Sequence, residues 1–221
     1  QRDKSTISRH IKNIFTEGEL NRDVNKEGKP MIDVYEKSPA FENEKYFLRM
    51  VTDEDVDDLL KVYSDIQAVP LFNSDNCHGD DFHYETIERM RQAMDFWSFS
   101  YKNRYFVRWA IIEKSVQKVV GTIELFNRTS EDYFNNCGIL RLDLRSDYEN
   151  TADIKSILSL ITEPAYDLFG CNLIATKAIK AAKERRSALI ETGFVESSEK
   201  LVGHDGTEYD SYFERSRVMA V

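Results

Sequence analysis

The feature that most constrains the fold is an ordered alternation of hydrophobic patterns from residue 46 onward. Segments of period two, typical of strands, interchange with segments whose apolar residues recur every three or four positions, typical of helices. The order is strand, two helices, three strands, helix, strand, helix, two strands. Three successive strands with short polar breaks predict an antiparallel meander. The sequence therefore predicts an α/β (α+β mixed) domain: a mostly antiparallel mixed sheet with helices on both faces.

The element limits follow from the same patterns. Strands are predicted over residues 46–51, 106–112, 119–126, 137–144, 173–179, 195–202 and 209–213. Helices are predicted over residues 52–63, 84–101, 154–168 and 181–192. Thr52 and Asp55 have the spacing of a capping box at the start of the first helix. Gly170 and Gly193 end the last two helices, and Pro164 is expected to kink the third.

Composition excludes several classes of protein. The chain has 221 residues, 41% of them hydrophobic, so it can bury a core without disulfides or a metal. Its three cysteines are far apart and form no CxxC pair, which predicts reduced thiols and no metal site. No apolar run approaches the ~20 residues that span a bilayer. We therefore expect a soluble cytoplasmic protein that has no membrane partner.

The first 30 residues differ in character from the rest. Apolar residues at helical spacing are followed by a polar stretch with Gly28 and Pro30, which predicts a boundary between residues 1–30 and a main domain over 31–221. Residues 1–20 resemble the recognition-helix end of the helix-turn-helix in RhuM-like virulence-associated proteins. One such helix cannot bury its own core, so we expect a remnant and linker. The net charge of −9 also disfavours a nucleic-acid partner.

Three motifs carry a second resemblance. Residues 46–55 look like a first strand that leads through an Arg and an Asp into a first helix. Residues 119–125 look like a strand that contains a glycine, and residues 191–196 contain a Gly-Phe pair that closes a last helix. In these motifs and their order, residues 31–216 resemble the GNAT (Gcn5-related) N-acetyltransferases, especially the ribosomal-protein-alanine acetyltransferase branch. The resemblance implies an acyl-CoA N-acyltransferase fold and an enzyme that transfers acetyl from acetyl-CoA to a primary amine by direct attack. The acceptor amine stays open, and a homodimer is compatible with this interpretation.

The resemblance also implies where acetyl-CoA binds. Pantetheine would lie along the strand at Leu142 and Leu144, whose neighbourhood supplies N–H groups for the oxyanion. The pyrophosphate would rest on the following helix start, which consists of Asn150, Thr151, Ala152, Asp153 and Ile154. This turn departs from the family pattern, which has an Arg or Gln and two small residues where Glu149, Ala152 and Ile154 stand. A catalytically degenerate GNAT-fold binding or regulatory module is therefore the alternative.

Two strand carboxylates are candidates for the base that takes the amine proton. Strand alternation puts Glu124 on a face that can look into the cleft; the alternative is a solvent-facing carboxylate. Asp143 shares a face with Arg141 and Arg145, and the alternative for it is an ion pair across that face. The Tyr that serves many family members as the acid aligns near Leu189, so that role is not transferred.

His78 is the third catalytic candidate. It lies in a polar segment, residues 73–83, which in this fold borders the acceptor site and is long for a connection between helices. A solvated loop is the alternative. Cys77, His78, Asp80 and His83 match no zinc spacing, so no metal is predicted. Residues 203–206 are predicted to form a hairpin turn in which Gly206 takes a positive φ.

Overall fold

A computed structural model describes residues 33–218 of the chain. The strands are β1 Phe41–Glu42, β2 Tyr46–Met50, β3 Val107–Glu113, β4 Lys118–Arg128, β5 Cys137–Leu144, β6 Leu173–Lys177, β7 Val195–Glu196, β8 Leu201–Val202, β9 Glu208–Tyr209 and β10 Tyr212–Ser216. The helices are α1 Val56–Tyr63, α2 Ile87–Lys102, α3 Thr151–Leu168 and α4 Lys183–Glu191. The RhuM-like segment and the boundary at residue 30 lie outside the described residues.

One large sheet organises the molecule, with strand order β1-β2-β3-β4-β5-β6-β10-β7. Every neighbouring pair is antiparallel except β5 and β6, which are parallel. The meander β3-β4-β5 follows from strands that are adjacent in the chain, and the parallel pair needs the crossover through α3. The predicted mixed, mostly antiparallel sheet is confirmed.

The sheet separates two hydrophobic cores. Trp109 of β3 packs on one face with Ile157 of α3, whereas its neighbour Ala110 packs on the other face with Leu59 of α1 and Met90 of α2. Because both faces are covered, β3 is apolar almost throughout and not alternating. Helices on both faces of the sheet are thereby confirmed.

The predicted capping box forms at a 3-10 turn, Asp53–Asp55, that leads directly into α1. The Asp55 carboxylate accepts hydrogen bonds from the Thr52 N–H (2.8 Å) and from both terminal nitrogens of Arg49 (2.8 Å each). α2 begins later than predicted, at Ile87, because Thr86 caps it by accepting from the Arg89 N–H. Pro164 lies inside α3 without ending the helix.

The predicted strands over residues 195–202 and 209–213 were wrong in their limits. Each divides into two, so that β7 pairs with β10 and β8 pairs with β9 in a separate hairpin. Ser211, with φ of 66°, interrupts the second segment, because a left-handed residue cannot continue a strand. The hairpin turn itself is confirmed: Gly203 N–H donates to Thr207 O, and Gly206 has φ of 82°.

Two further features concern membranes and sulfur. In the described part of the chain, no helix is long and apolar enough to cross a membrane. All three cysteines are free thiols, with Cys137 and Cys171 buried and Cys77 half-buried.

Candidate functional site

The parallel pair of strands separates partway along its length. β5 and β6 pair from Gly138 opposite Ile174 to Leu140 opposite Thr176, and beyond Leu140 the strand β5 keeps only β4 as its neighbour. The backbone of residues 141–144 therefore presents an edge without a strand partner toward the gap. This gap, bounded by β5, β6 and the first turns of α3 and α4, is called the cleft below.

The side chain of Arg185, from the first turn of α4, fills the cleft. One guanidinium nitrogen donates to Leu142 O (2.8 Å) and to Leu71 O (2.9 Å). The other two nitrogens form a bidentate pair with the Glu149 carboxylate, at 2.6 and 2.7 Å. Because the Arg185 side chain is 2% exposed and that of Glu149 is 7% exposed, the pair is buried.

Side chains also satisfy the helix start predicted to hold a pyrophosphate. Asn150 is the N-cap of α3, and its side-chain oxygen accepts from the Asp153 N–H (3.1 Å). The Glu184 carboxylate accepts from both the N–H (3.1 Å) and the hydroxyl (2.5 Å) of Thr151. Ala152 is exposed, whereas Ile154 is buried in the core below α3, away from the surface of the turn.

Asp153 is committed to an ion pair of its own. Its carboxylate lies 2.5 Å from Lys45 Nζ and accepts from the Asn150 amide. Burial opposes ionisation, but the bonds from Lys45 and Asn150 outweigh it and hold the pKa of Asp153 below its ordinary value. The negative charge of this residue is therefore compensated within the fold.

A buried charge cluster lies on the face of the sheet next to α1. Arg108 of β3 donates to Glu124 (2.5 Å) and to Asp143 (2.9 Å), and Arg141 donates to the other oxygen of Glu124 (2.9 Å). Tyr63 of α1 also donates to Asp143, at 2.8 Å. Arg108, Glu124, Arg141 and Asp143 are called the charge cluster below.

The two carboxylates of the charge cluster differ in their basicity. Glu124 is 1% exposed, and although burial favours its neutral form, Arg108 and Arg141 outweigh burial and lower its pKa. Burial dominates at Asp143 and raises its pKa in spite of Arg108. Glu124 is therefore buried, and the solvent-facing alternative for it is wrong. The ion partner of Asp143 is Arg108, whereas Arg145 pairs with Asp147 at the surface.

Sequence reasoning missed Arg108 and Arg185. The signal for Arg108 was a single charged residue inside an otherwise apolar strand, because such a residue needs a buried partner. Arg185 carried no comparable signal, since the segment from residue 183 to 186 is charged throughout.

A cavity of about 340 Å³ lies between the polar loop of residues 74–81 and the β8–β9 hairpin. His78 and Asp81 line it from the loop, and His204 and Asp205 line it from the hairpin. Burial, followed by the nearby His78, lowers the pKa of His204, which favours its neutral form. Among residues 33–218, no group of three His, Cys, Asp or Glu converges to hold a metal ion.

Asp75 anchors this loop to the mouth of the cleft. Its backbone oxygen accepts from Arg141 (2.9 Å), and its carboxylate lies 2.6 Å from Lys177 Nζ at the end of β6 and accepts from the Tyr212 hydroxyl (3.2 Å). The cavity is therefore adjacent to the point where β5 and β6 separate. The loop that the sequence left open as a solvated connection is held against the sheet.

No protein-family model matches the chain, and no curated protein matches it. Several solved structures match the chain in fold. The GNAT-family acetyltransferase from Bacillus anthracis is 11% identical with a TM-score of 0.60, over 80% of this chain and 98% of that one. The ribosomal-protein-S5-alanine acetyltransferase from Vibrio fischeri is 15% identical with a TM-score of 0.56, over 81% and 97%.

RimJ from Mycobacterium smegmatis, solved in complex with CoA-disulfide, is 13% identical with a TM-score of 0.61, over 80% of this chain and 86% of that one. At these identities the likeness is one of fold. The chain has the GNAT acyltransferase fold, as the sequence resemblance implied.

Proposed function

We propose that this protein is an N-acetyltransferase that moves the acetyl group of acetyl-CoA to a primary amine by direct attack. The observation that carries the proposal is the separation of β5 from β6 directly beside the start of α3, within a GNAT fold. A free strand edge offers backbone groups to an extended ligand, and a helix start offers N–H groups to an anion. In the free protein the Glu184 carboxylate occupies the Thr151 N–H at this helix start.

The residues of the cleft suit a CoA thioester, on one condition. Leu142 and Leu144 would run beside the pantetheine, and the helix start at Thr151 and Ala152 would receive the pyrophosphate. In this structure Arg185 engages Leu142 and Glu184 engages Thr151, so both side chains must turn away first. Glu184 is exposed and can do so readily, whereas Arg185 is buried.

Acetyl-CoA supplies the reactive thioester, and the chain must supply a proton acceptor for the amine. His78 is the candidate that the adjacent cavity leaves accessible, and His204 faces the same cavity. Glu124 is a weak base while two guanidinium groups stabilise its charge. Asp143 has the higher basicity of the two carboxylates, but it is fully buried behind Tyr63. We therefore assign proton acceptance to His78, with N–H groups of residues 142–144 stabilising the oxyanion.

The test is release of CoA thiol from acetyl-CoA in the presence of primary amines, including peptide N-termini and small amines. We expect amine-dependent release, and a loss on the order of a hundredfold in kcat/KM for His78→Ala. His83→Ala is the matched control, because His83 lies in the same loop outside the cavity lining and should retain full activity. Binding of acetyl-CoA without thiol release from any amine would contradict the proposal.

A second candidate is a GNAT-fold binding or regulatory module without acetyl transfer. The contacts of Arg185 and Glu184 favour it, because they satisfy the groups that a CoA thioester would use. Ala182 and Leu189, which stand where the resembled family often has Asn and Tyr, are both buried apolar residues here. A folded protein that binds no CoA thioester and turns over no amine would identify this case.

A further inference from the structure

The first turn of α4 and the turn before α3 close the cleft from within. We propose that Glu149, Glu184 and Arg185, called the plug below, set the affinity of this chain for CoA by occupying the cleft in the free protein. The inference rests on the proposed function, because it concerns the same cleft. It goes further in naming the residues that decide whether the cleft opens.

The position of Arg185 indicates that it acts as an occupant of the cleft. Its three hydrogen-bonding partners belong to three different parts of the cleft wall: Leu142 of β5, Leu71 of the loop after α1, and Glu149 before α3. A guanidinium that bridges these walls lies where an extended ligand between β5 and β6 must pass. A CoA thioester can therefore bind only after the Arg185 side chain has left.

Displacement of Arg185 is unfavourable because the pair with Glu149 is buried and bidentate. Moving the guanidinium out leaves the Glu149 carboxylate without its cation and strips bonds from two backbone carbonyls. Breaking a buried ion pair in this way should weaken the binding of CoA by a factor on the order of 10² to 10³, relative to a cleft without the pair. We therefore expect wild-type affinity for CoA to be weak, roughly millimolar.

Charge adds to this effect. Glu149 and Glu184 bring two carboxylates to the helix start where a diphosphate would bind. Two cations close in sequence to this turn are engaged elsewhere, Lys155 with Glu191 and Arg145 with Asp147. A diphosphate at Thr151 thus meets like charge until Glu184 turns toward solvent.

The test is calorimetric titration of the full chain with CoA, acetyl-CoA and desulfo-CoA. The opened variant is Glu149→Gln with Arg185→Ser, because removing the arginine alone would leave an unpaired buried carboxylate. Arg186→Ser is the matched control: Arg186 is the next residue of α4, and its ion pair is with the exposed Glu196. We expect the opened variant to bind CoA at least about tenfold more tightly than wild type, and the control to bind as wild type does.

Glu184→Gln gives a second measurement that does not depend on folding of the opened variant, since Glu184 is exposed. We expect a gain of about two- to fivefold in CoA affinity, from the loss of one competing charge at the helix start. If the Arg185–Glu149 pair only stabilised the fold, removing it would give no gain in CoA affinity. Micromolar binding by wild type, or folded variants that bind no better than wild type, would overturn the plug.

The plug and the proposed function fail in different ways. An opened variant that binds acetyl-CoA tightly but acetylates no amine supports the plug and refutes acetyl transfer. A wild-type protein that binds tightly and acetylates an amine refutes the plug and supports acetyl transfer.

Discussion

Removing Arg108 tests whether the charge cluster is held together as described. Arg108 is 3% exposed and is the cation that contacts both Glu124 and Asp143, whereas Arg141 contacts Glu124 but not Asp143. Arg108→Met therefore leaves Asp143 buried beside Tyr63 without a cation. Losing one partner of a buried ion pair costs about 3–5 kcal/mol of unfolding free energy.

The assay is urea unfolding near neutral pH, followed by fluorescence and circular dichroism. Arg145→Met is the control, because Arg145 pairs with the exposed Asp147, and such a surface pair contributes about 0–1 kcal/mol. Adding Asp143→Asn to Arg108→Met should restore part of the lost stability, since the unpaired charge is then absent.

The pH dependence gives an independent check with a defined sign. Burial already raises the pKa of Asp143 in the folded state, and loss of Arg108 raises it further. A carboxyl whose folded pKa exceeds its unfolded value destabilises the fold once pH rises above the unfolded value. The deficit of Arg108→Met should therefore shrink at mildly acidic pH. A deficit under about 1 kcal/mol, or one that does not change with pH, would refute the reasoning.

Three other predictions test the packing and ionisation of single residues in the fold. Burial opposes ionisation of Asp132, but hydrogen bonds from Arg128 and from backbone N–H groups outweigh burial and lower its pKa to about 2. The ionised carboxylate therefore stabilises the fold above its ordinary pKa, and this stabilisation is lost as pH falls toward 2. Asp132→Asn should cost about 2 kcal/mol in urea unfolding near neutral pH, and a difference that persists unchanged in acid would contradict this. Cys137 and Cys171 are buried, and burial raises the pKa of both thiols. A thiol reagent should therefore modify them only after denaturation, and rapid modification of the native protein would contradict this prediction. Gly121→Ala should lower the unfolding free energy by about 1–3 kcal/mol, because a Cβ there would lie 2.3 Å from the Asp143 carbonyl oxygen; an unchanged midpoint would refute that contact.

Local patterns in the sequence account for most of the fold. Apolar spacing alone places the meander β3-β4-β5 and the helix α3, and the Thr52–Asp55 motif locates the 3-10 turn that leads into α1. These features depend on residues close together in the chain, where period and capping chemistry are direct consequences of backbone geometry. The limits of the predicted strand over residues 209–213 were missed because Ser211 adopts a left-handed conformation and no glycine signals it there.

The candidate site was only partly predictable, for the same physical reason. The resemblance to the GNAT family implied the position of the cleft, and Glu124, Asp143 and His78 were named as catalytic candidates. Their partners are distant in sequence: Arg108 lies 35 residues from Asp143, and Arg185 lies 36 from Glu149. A hydrophobic pattern shows that a charged residue is buried without identifying the charge it meets. The plug therefore required the structure.

The most direct test of the central claim is mass spectrometric detection of N-acetylated product after incubating the full chain with acetyl-CoA and a panel of primary amines. The Glu149→Gln/Arg185→Ser variant should be assayed in parallel, so that weak binding by wild type does not hide chemistry. We predict an acetylated amine in both reactions, with more product from the variant at low acetyl-CoA. No acetylated amine from either protein, with acetyl-CoA binding to the variant established by calorimetry, would contradict acetyl transfer as the function of this fold.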